Sequence, residues 1–362
     1  MCNASSFADS RTCRIPRAST LKAVNPFVRS KKKMRASRLT EVLEKLMKSP
    51  RWAAFIWGAP GIGKSAIVKA AAEKEGLPVI DLRASLLDPT DLRGLPAVKG
   101  GRAFWCPPAF LPAPDAKPGV LFLDEINAAP PLVQAAMYQL VLDRRVGEYR
   151  LPDGWRIIAA GNRAADRAVT FRLSSALANR FIHLELEPDL ECWADWAYRH
   201  SVSPYVIGFL RARPTLLYVR QTDSPAFATP RSWEMASDAI KVLGGISEAR
   251  DVLPGIVGEG PAQEFIAFCA DGTLRKQLGA ILEDPENAPL PEALDKLWAV
   301  TSMLAASAGR EKNDLAIDAL LSRLPAEFGV VLARDALKRS PKAILRPAFR
   351  SFMKANASIF SP

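Results

Sequence analysis

The stretch Gly58-Ala59-Pro60-Gly61-Ile62-Gly63-Lys64-Ser65 has the form GxxxxGK[ST] and falls between two different patterns. Before it, Ala53 to Trp57 is a short apolar run; after it, Lys64 to Glu75 is patterned as a helix. A strand that feeds a glycine turn and then a helix exposes successive backbone N–H groups beside the positive end of the helix dipole. Gly58, Gly61 and Gly63 permit backbone angles and a close approach that side chains would block. Lys64 is placed to reach β- and γ-phosphates, and the Ser65 hydroxyl to hold Mg²⁺. The same eight residues could serve as a plain glycine turn capping a helix. The flanking strand and helix favour a nucleoside triphosphate.

A second stretch points the same way. Val120-Leu121-Phe122-Leu123-Asp124-Glu125 is four apolar residues ending in two carboxylates. Asp124, at the carboxyl end of a central strand, is placed to hold the Mg²⁺ water shell beside Ser65. Glu125 is placed to polarise an attacking water as general base. Alone, the pair would be a solvated acidic turn; following Lys64 in this order, it is a catalytic candidate. Asn162 ends the strand Ile157 to Gly161, where an amide could orient water or contact the γ-phosphate, or merely form a turn. Arg180, just before the strand Phe181 to Leu186, and Arg231, at a helix start, could each stabilise charge on a transferred phosphoryl group. Each could equally be a surface ion pair, Glu234 being near Arg231. The nucleotide-binding set is thus Gly58, Ala59, Pro60, Gly61, Ile62, Gly63, Lys64, Ser65, Ala66 and Asp124, with Ser65 and Asp124 at the metal.

Outward from these stretches, strands alternate with helices up to Leu186 and helices alone follow. That order predicts a parallel α/β domain and then an α-helical part. Leu39, Val42, Leu43, Leu46 and Met47 form a leading helix, with Val79 to Leu82 a second strand. Gly100-Gly101 between Ala97-Val98 and Ala103 to Trp105 predicts a hairpin. Leu132 to Leu142 is an amphipathic helix. Val146 to Leu151 and Trp155 to Ala160 flank the turn Pro152-Asp153-Gly154. Beyond Leu190 the helical pattern breaks near Pro204, Pro214, Pro225, Pro230 and Pro254.

The 362 residues are 49% hydrophobic and 24% charged, enough for two or three domains. Of the net +11, residues 1–40 carry +9, ten basic side chains against Asp9 alone, so the remainder carries only +2. A basic stripe for nucleic acid is therefore not expected on the body. The tail has no apolar periodicity and is expected to be disordered to about residue 36. It reads first as an extension upstream of a start at Met34, then as a transit peptide, then as a nucleic-acid arm. Cys2, Cys13, Cys106, Cys192 and Cys269 never pair as CxxC, which suggests reduced thiols in a cytoplasmic protein. With His183 and His200 the only histidines, a histidine metal centre is not expected, and His183 reads as a packed or edge-strand side chain. No apolar run is long enough to span a membrane.

The order Gly58–Ser65, Asp124-Glu125, Asn162, Arg180, Arg231 resembles the AAA+ ATPases over roughly residues 38–270, and more narrowly their MoxR-like, dynein-related group. The resemblance implies Walker A, Walker B, sensor 1, arginine finger and sensor 2 at those positions. Asp88 to Pro96 is similar to that group's segment ahead of a helix-2 insert, which implies the insert at 97–107 and a pre-sensor-1 hairpin at 146–160. It further implies a sheet with an extra strand between the Walker A and Walker B strands. The expected layout is a tail at 1–36, a P-loop α/β domain at 37–187, a helical lid at 188–275 and a helical extension at 276–362.

ATP and Mg²⁺ are the implied cofactors, and a homo-oligomeric ring, commonly a hexamer, the implied assembly, with Arg180 acting on the neighbour's nucleotide. Such ATPases remodel or mature a client protein in the manner of a chaperone, often with a von Willebrand factor A partner. Two other readings stand beside this. One is a nucleic-acid motor or restriction-type subunit, from a likeness at Gly161 to Arg167; the other is a nucleotide-gated scaffold with little turnover. Phe104-Trp105 and Glu148-Tyr149 are candidate contacts to a substrate or partner, with packing on their own domain the alternative.

Overall fold

The computed structural model describes residues 33–163, 171, 173–219, 224–270 and 272–357. The basic tail up to Lys32 and the segment 164–167 of the restriction-type likeness lie outside the described residues.

Six parallel strands form the main sheet: β1 (Lys33–Met34), β2 (Ala53–Trp57), β3 (Val79–Arg83), β6 (Val120–Asp124), β9 (Arg156–Gly161) and β10 (Phe181–Leu186). Their order is β1-β10-β2-β9-β6-β3, so β9 lies between the strand ending at the P-loop and the strand ending in Asp124. Both faces are covered, which is why the strands read as continuous apolar runs. Val120 and Phe122 enter the core on one face with Ala54, Ile56, Val68 and Ile158. Leu121 and Leu123 enter the opposite core with Phe55, Met137 and Ile157. The first of these faces is covered by α1 (Ala36–Met47), which buries Leu39, Leu43 and Met47, and by α2 (Lys64–Lys74). The second is covered by α4 (Pro131–Asp143), through Val133, Met137 and Leu140.

A short helix α3 (Pro89–Arg93), capped by a reciprocal Asp88/Asp91 box, leads into the hairpin β4 (Leu95–Lys99) and β5 (Arg102–Cys106). The Gly100-Gly101 turn sits where the sequence places it. The second hairpin differs from expectation. Val146 pairs with Tyr149 in a two-residue ladder, β7 (Arg145–Val146) with β8 (Tyr149–Arg150). Residues 156–161 instead pair with β6 and β2 in the main sheet. The two-residue hairpin therefore turns at Gly147-Glu148. Pro152-Asp153-Gly154 is a turn as expected, Trp155 N donating to Pro152 O at 3.3 Å, but it leads into the main-sheet strand rather than closing a hairpin. Tyr149 is buried with its hydroxyl donating to Pro112 O at 2.9 Å, so this ring packs on its own domain. Phe104 and Trp105 lie along β5 and remain about a third exposed, at 36% and 37%.

After α5 (Ser175–Ala178) and β10 the chain is helical: α6 (Leu190–Arg199), α7 (Pro204–Ala212), α8 (Pro230–Val242), α9 (Ile246–Ala249), α10 (Pro254–Val257), α11 (Glu259–Ala270), α12 (Gly272–Glu283), α13 (Leu294–Ala306), α14 (Glu311–Arg323), α15 (Ala326–Arg339) and α16 (Pro347–Ala355). Pro204, Pro230 and Pro254 begin helices, where the missing N–H costs nothing. One apolar core runs from Trp193 to Phe349, with α13 packed between α7 and α15. Inside it Asp335, buried completely, accepts from Arg211 at 2.9 Å, from Arg334 at 3.1 Å and from Lys338 at 3.1 Å. Arg211 also pairs with Glu191, and Lys338 with Asp195, both on α6. Burial pulls the Arg211 guanidinium down, but Asp335, Tyr198 and Glu191 outweigh it and raise its pKa. No described helix is long and apolar enough to cross a membrane.

Candidate functional site

The P-loop lies between β2 and α2, with Gly61 and Gly63 at φ +76° and +93°. Lys64 is buried and folds back over the loop. Its ammonium donates to Gly58 O at 2.7 Å, Ala59 O at 2.9 Å and Asn162 Oδ1 at 2.7 Å. Ser65 Oγ donates to Asp124 Oδ2 at 2.8 Å. The sheet order makes both contacts: β2 and β9 end side by side, with β6 one strand further. Walker A, Asp124 and Asn162 are therefore brought together as the sequence proposes.

Glu125 adopts a left-handed backbone, φ +56°, uncommon for a residue with a side chain. Its N–H donates to Asp124 Oδ1 at 2.9 Å, and its carboxylate accepts from Ser85 Oγ at 2.6 Å. Two residues on, buried Asn127 donates from Nδ2 to Asn162 O at 2.7 Å, fixing the loop that carries Asn162. The approach is close: a Cβ on Gly161 would lie 2.2 Å from Asn127 Oδ1.

On the other side of the P-loop is a cavity of about 220 Å³, lined by Ala36, Ile62, Cys192, Trp196, Arg231 and Glu234 among others. The N-terminus of α8 closes it. Thr229 and Ser232 cap that helix reciprocally, Ser232 N donating to Thr229 Oγ1 at 3.0 Å and Thr229 N to Ser232 Oγ at 2.7 Å. Arg231 N then donates to Gly61 O at 3.1 Å. Gly61 must lack a side chain here, because a Cβ would sit 2.7 Å from Thr229 Oγ1. Arg231 lines the cavity and, among the described residues, makes no ion pair with Glu234. Burial, with Asp238 adding, raises the Glu234 carboxyl above its ordinary range against the pull of His200, Arg231 and Lys241. Burial likewise pushes the Cys192 thiol up.

Arg180 is not brought to this site. Phe181 pairs with Ala53 and Glu185 with Trp57, so Arg180 lies at the opposite end of the strands from Gly58. Six residues of strand separate the two levels, roughly 20 Å. Arg180 is exposed, and among the described residues its guanidinium makes no ion pair.

The residues present fit the groups the sequence implies. The hydroxyl and carboxylate of Ser65 and Asp124 form the hard oxygen pair that a hydrated Mg²⁺ takes. A lysine ammonium whose partners are three oxygens can exchange one for a phosphate oxygen. The cavity has room for a nucleobase. Ser85, Asn127, Thr229 and Trp196 were not picked out from sequence. Asn127 follows Glu125 closely enough to be suspected; the others carry no local signal.

The arrangement, a P-loop on a parallel sheet with β9 inserted between β2 and β6 and helices following it, is the P-loop AAA+ fold. Residues 53–181 match the family model of the AAA domain (dynein-related subfamily). No curated protein matches the chain. Among solved structures, NtrX from Brucella abortus is 16% identical with a TM-score of 0.40, covering 69% of this chain and 62% of that one. A variant of RuvB from Thermotoga maritima is 19% identical with a TM-score of 0.38, covering 77% of this chain and 81% of that one. The aligned part thus spans less than two thirds of the NtrX chain. At these values the likenesses bear on neither activity nor partner.

Proposed function

We propose that the protein is an ATP-binding and ATP-hydrolysing AAA+ ATPase of the MoxR-like group, working as a homo-oligomeric ring, commonly hexameric. The observation that carries this is the convergence of Lys64 on Asn162 and of Ser65 on Asp124, with Glu125 beside them. In this reading Lys64 and the loop N–H groups bind the phosphates. Ser65 and Asp124 would hold Mg²⁺, which would supply neutralisation of phosphate charge. Glu125, released from Ser85, takes the proton of the attacking water while Asn162 orients it. The remote position of Arg180 supports its action on the nucleotide of a neighbouring subunit.

Residues 37–187 serve as the nucleotide domain, 188–275 as the lid and 276–362 as its extension. Arg231, on α8 against Gly61, senses the nucleotide from the lid. A change of angle between the two parts is passed by the ring to a client protein, with a von Willebrand factor A partner as adaptor.

The test pairs two variants. Lys64→Ala abolishes binding of a fluorescent ATP analogue, and Glu125→Gln binds ATP but turns over at least about 100-fold more slowly, the lower end of the range for a general base. Tight binding by the first variant, or wild-type turnover by the second, rejects the assignment. Light scattering with and without ATP tests the ring, which is expected to form with nucleotide.

A further inference from the structure

We propose that His183 is a positioning residue for Arg180, holding the turn before it so that the guanidinium is presented to the neighbouring subunit's nucleotide. The inference rests on the reading of Arg180 as acting across a subunit interface.

His183 stands on β10 opposite Phe55 in the parallel register. Its Nδ1 lies 2.8 Å from Trp57 Nε1, and its Nε2 lies 2.8 Å from Ala178 O. An indole N–H can only donate and a carbonyl can only accept. Both bonds form together in one state alone: a neutral imidazole that accepts at Nδ1 and donates from Nε2. The ring is also stacked on Trp57, centroids 6.0 Å apart at 25°, and lies 5.9 Å from Phe55. Its orientation is therefore set from the strand that ends in the P-loop.

What it holds is the end of a short helix, α5, that also packs on α4. α5 is four residues long, capped by Ser174 at 3.2 Å and anchored in the core through Leu177. Too short to hold itself together, it depends on outside contacts. Ala178 is its last residue, and a helix-terminal carbonyl needs a partner from outside. His183 supplies it. Arg180 follows two residues later, its N–H bonded to Leu177 O at 3.1 Å, so the turn that His183 fastens is the turn from which Arg180 projects. The link is direct: Trp57, whose next residue is Gly58, to His183, to Ala178, to Arg180.

The full chain carries the test. His183→Phe keeps an aromatic ring and removes both hydrogen bonds. ATP affinity should stay within about twofold of wild type, while ring turnover falls about tenfold, a change of about 1.4 kcal/mol in barrier. His183→Gln, whose amide reaches the Ala178 carbonyl, should regain a substantial part of that turnover. His183→Asn, which reaches only as far as Trp57, should not.

The decisive measurement mixes subunits. His183→Phe subunits, which bind nucleotide, are combined with Lys64→Ala subunits, which bind none but carry intact His183 and Arg180. Turnover above that of either parent places the defect in the arginine delivered to a neighbour, and shows that the variant is folded. No rescue, in a preparation where Arg180→Ala with Lys64→Ala is rescued, overturns the positioning role and leaves the shared site standing. No rescue of Arg180→Ala either overturns the shared site itself, and the inference with it. Equal recovery by His183→Asn and His183→Gln would also reject it, since the bond to Ala178 would then be irrelevant.

Discussion

At the scale of single residues the site depends on contacts that motifs do not display. That Lys64, Ser65, Asp124, Glu125 and Asn162 would come together was legible, because each stands at a strand end or on the loop beside one. Asn127 and Gly161 were not singled out, since their role is steric and appears only once β6 and β9 lie side by side. Gly161→Ala should push Asn127 away and misplace Asn162 with it. The expected outcome is about 1–3 kcal/mol of lost stability by urea denaturation, as for other overpacked sites, together with a fall in turnover. Unchanged turnover would show that Asn162 does not need this support.

At the scale of elements the fold was largely readable. β2, β6 and β9 are apolar on successive residues because both faces are buried, and the helices following β2 and β6 appeared in their own periodicity, whereas the four-residue α5 after β9 is too short to show one. The misread element was the second hairpin. Val146 to Leu151 and Trp155 to Ala160 have similar β-forming composition and a good turn between them, so local signals favour pairing them. The competing interaction is long-range: Ile157 and Ala159 fill one core and Ile158 and Ala160 the other, which only a central strand can do. A second element-scale feature, the seat of α8 on the P-loop, has no sequence signal beyond the Thr229-Pro230 start. Thr229→Val keeps the shape but leaves the buried Ser232 N–H without its acceptor. A loss of about 1 kcal/mol is expected from the cap, with weaker nucleotide binding as Arg231 N and Gly61 O separate. Calorimetry with ATP reads both; a change in stability without one in affinity would uncouple the helix from the site.

At the scale of the molecule, α6 has two jobs on two faces. Cys192, Trp193 and Trp196 line the cavity beside the P-loop, while Glu191 and Asp195 join the charge cluster centred on Asp335 of α15. Removing one partner of such a cluster strands the others in the core. Asp335→Ala should cost about 3–5 kcal/mol, measured by denaturant midpoint, and should loosen α15 from α6 and α7 together, seen as faster amide exchange in all three. Exchange confined to α15 would show that the cluster does not join them.

The position of β9 also governs when the molecule can assemble. β2 and β6, the strands that end in the P-loop and in Asp124, are not neighbours, so the sheet cannot grow by pairing them as they are synthesised. Lys64 must wait for Asn162, 98 residues later in the chain, before its third partner exists. Pairing over such separations is slow and leaves unpaired strand edges exposed in the interval. On that argument a growing chain should complete the ends of β2 and β6 only when 156–161 enters the gap between them.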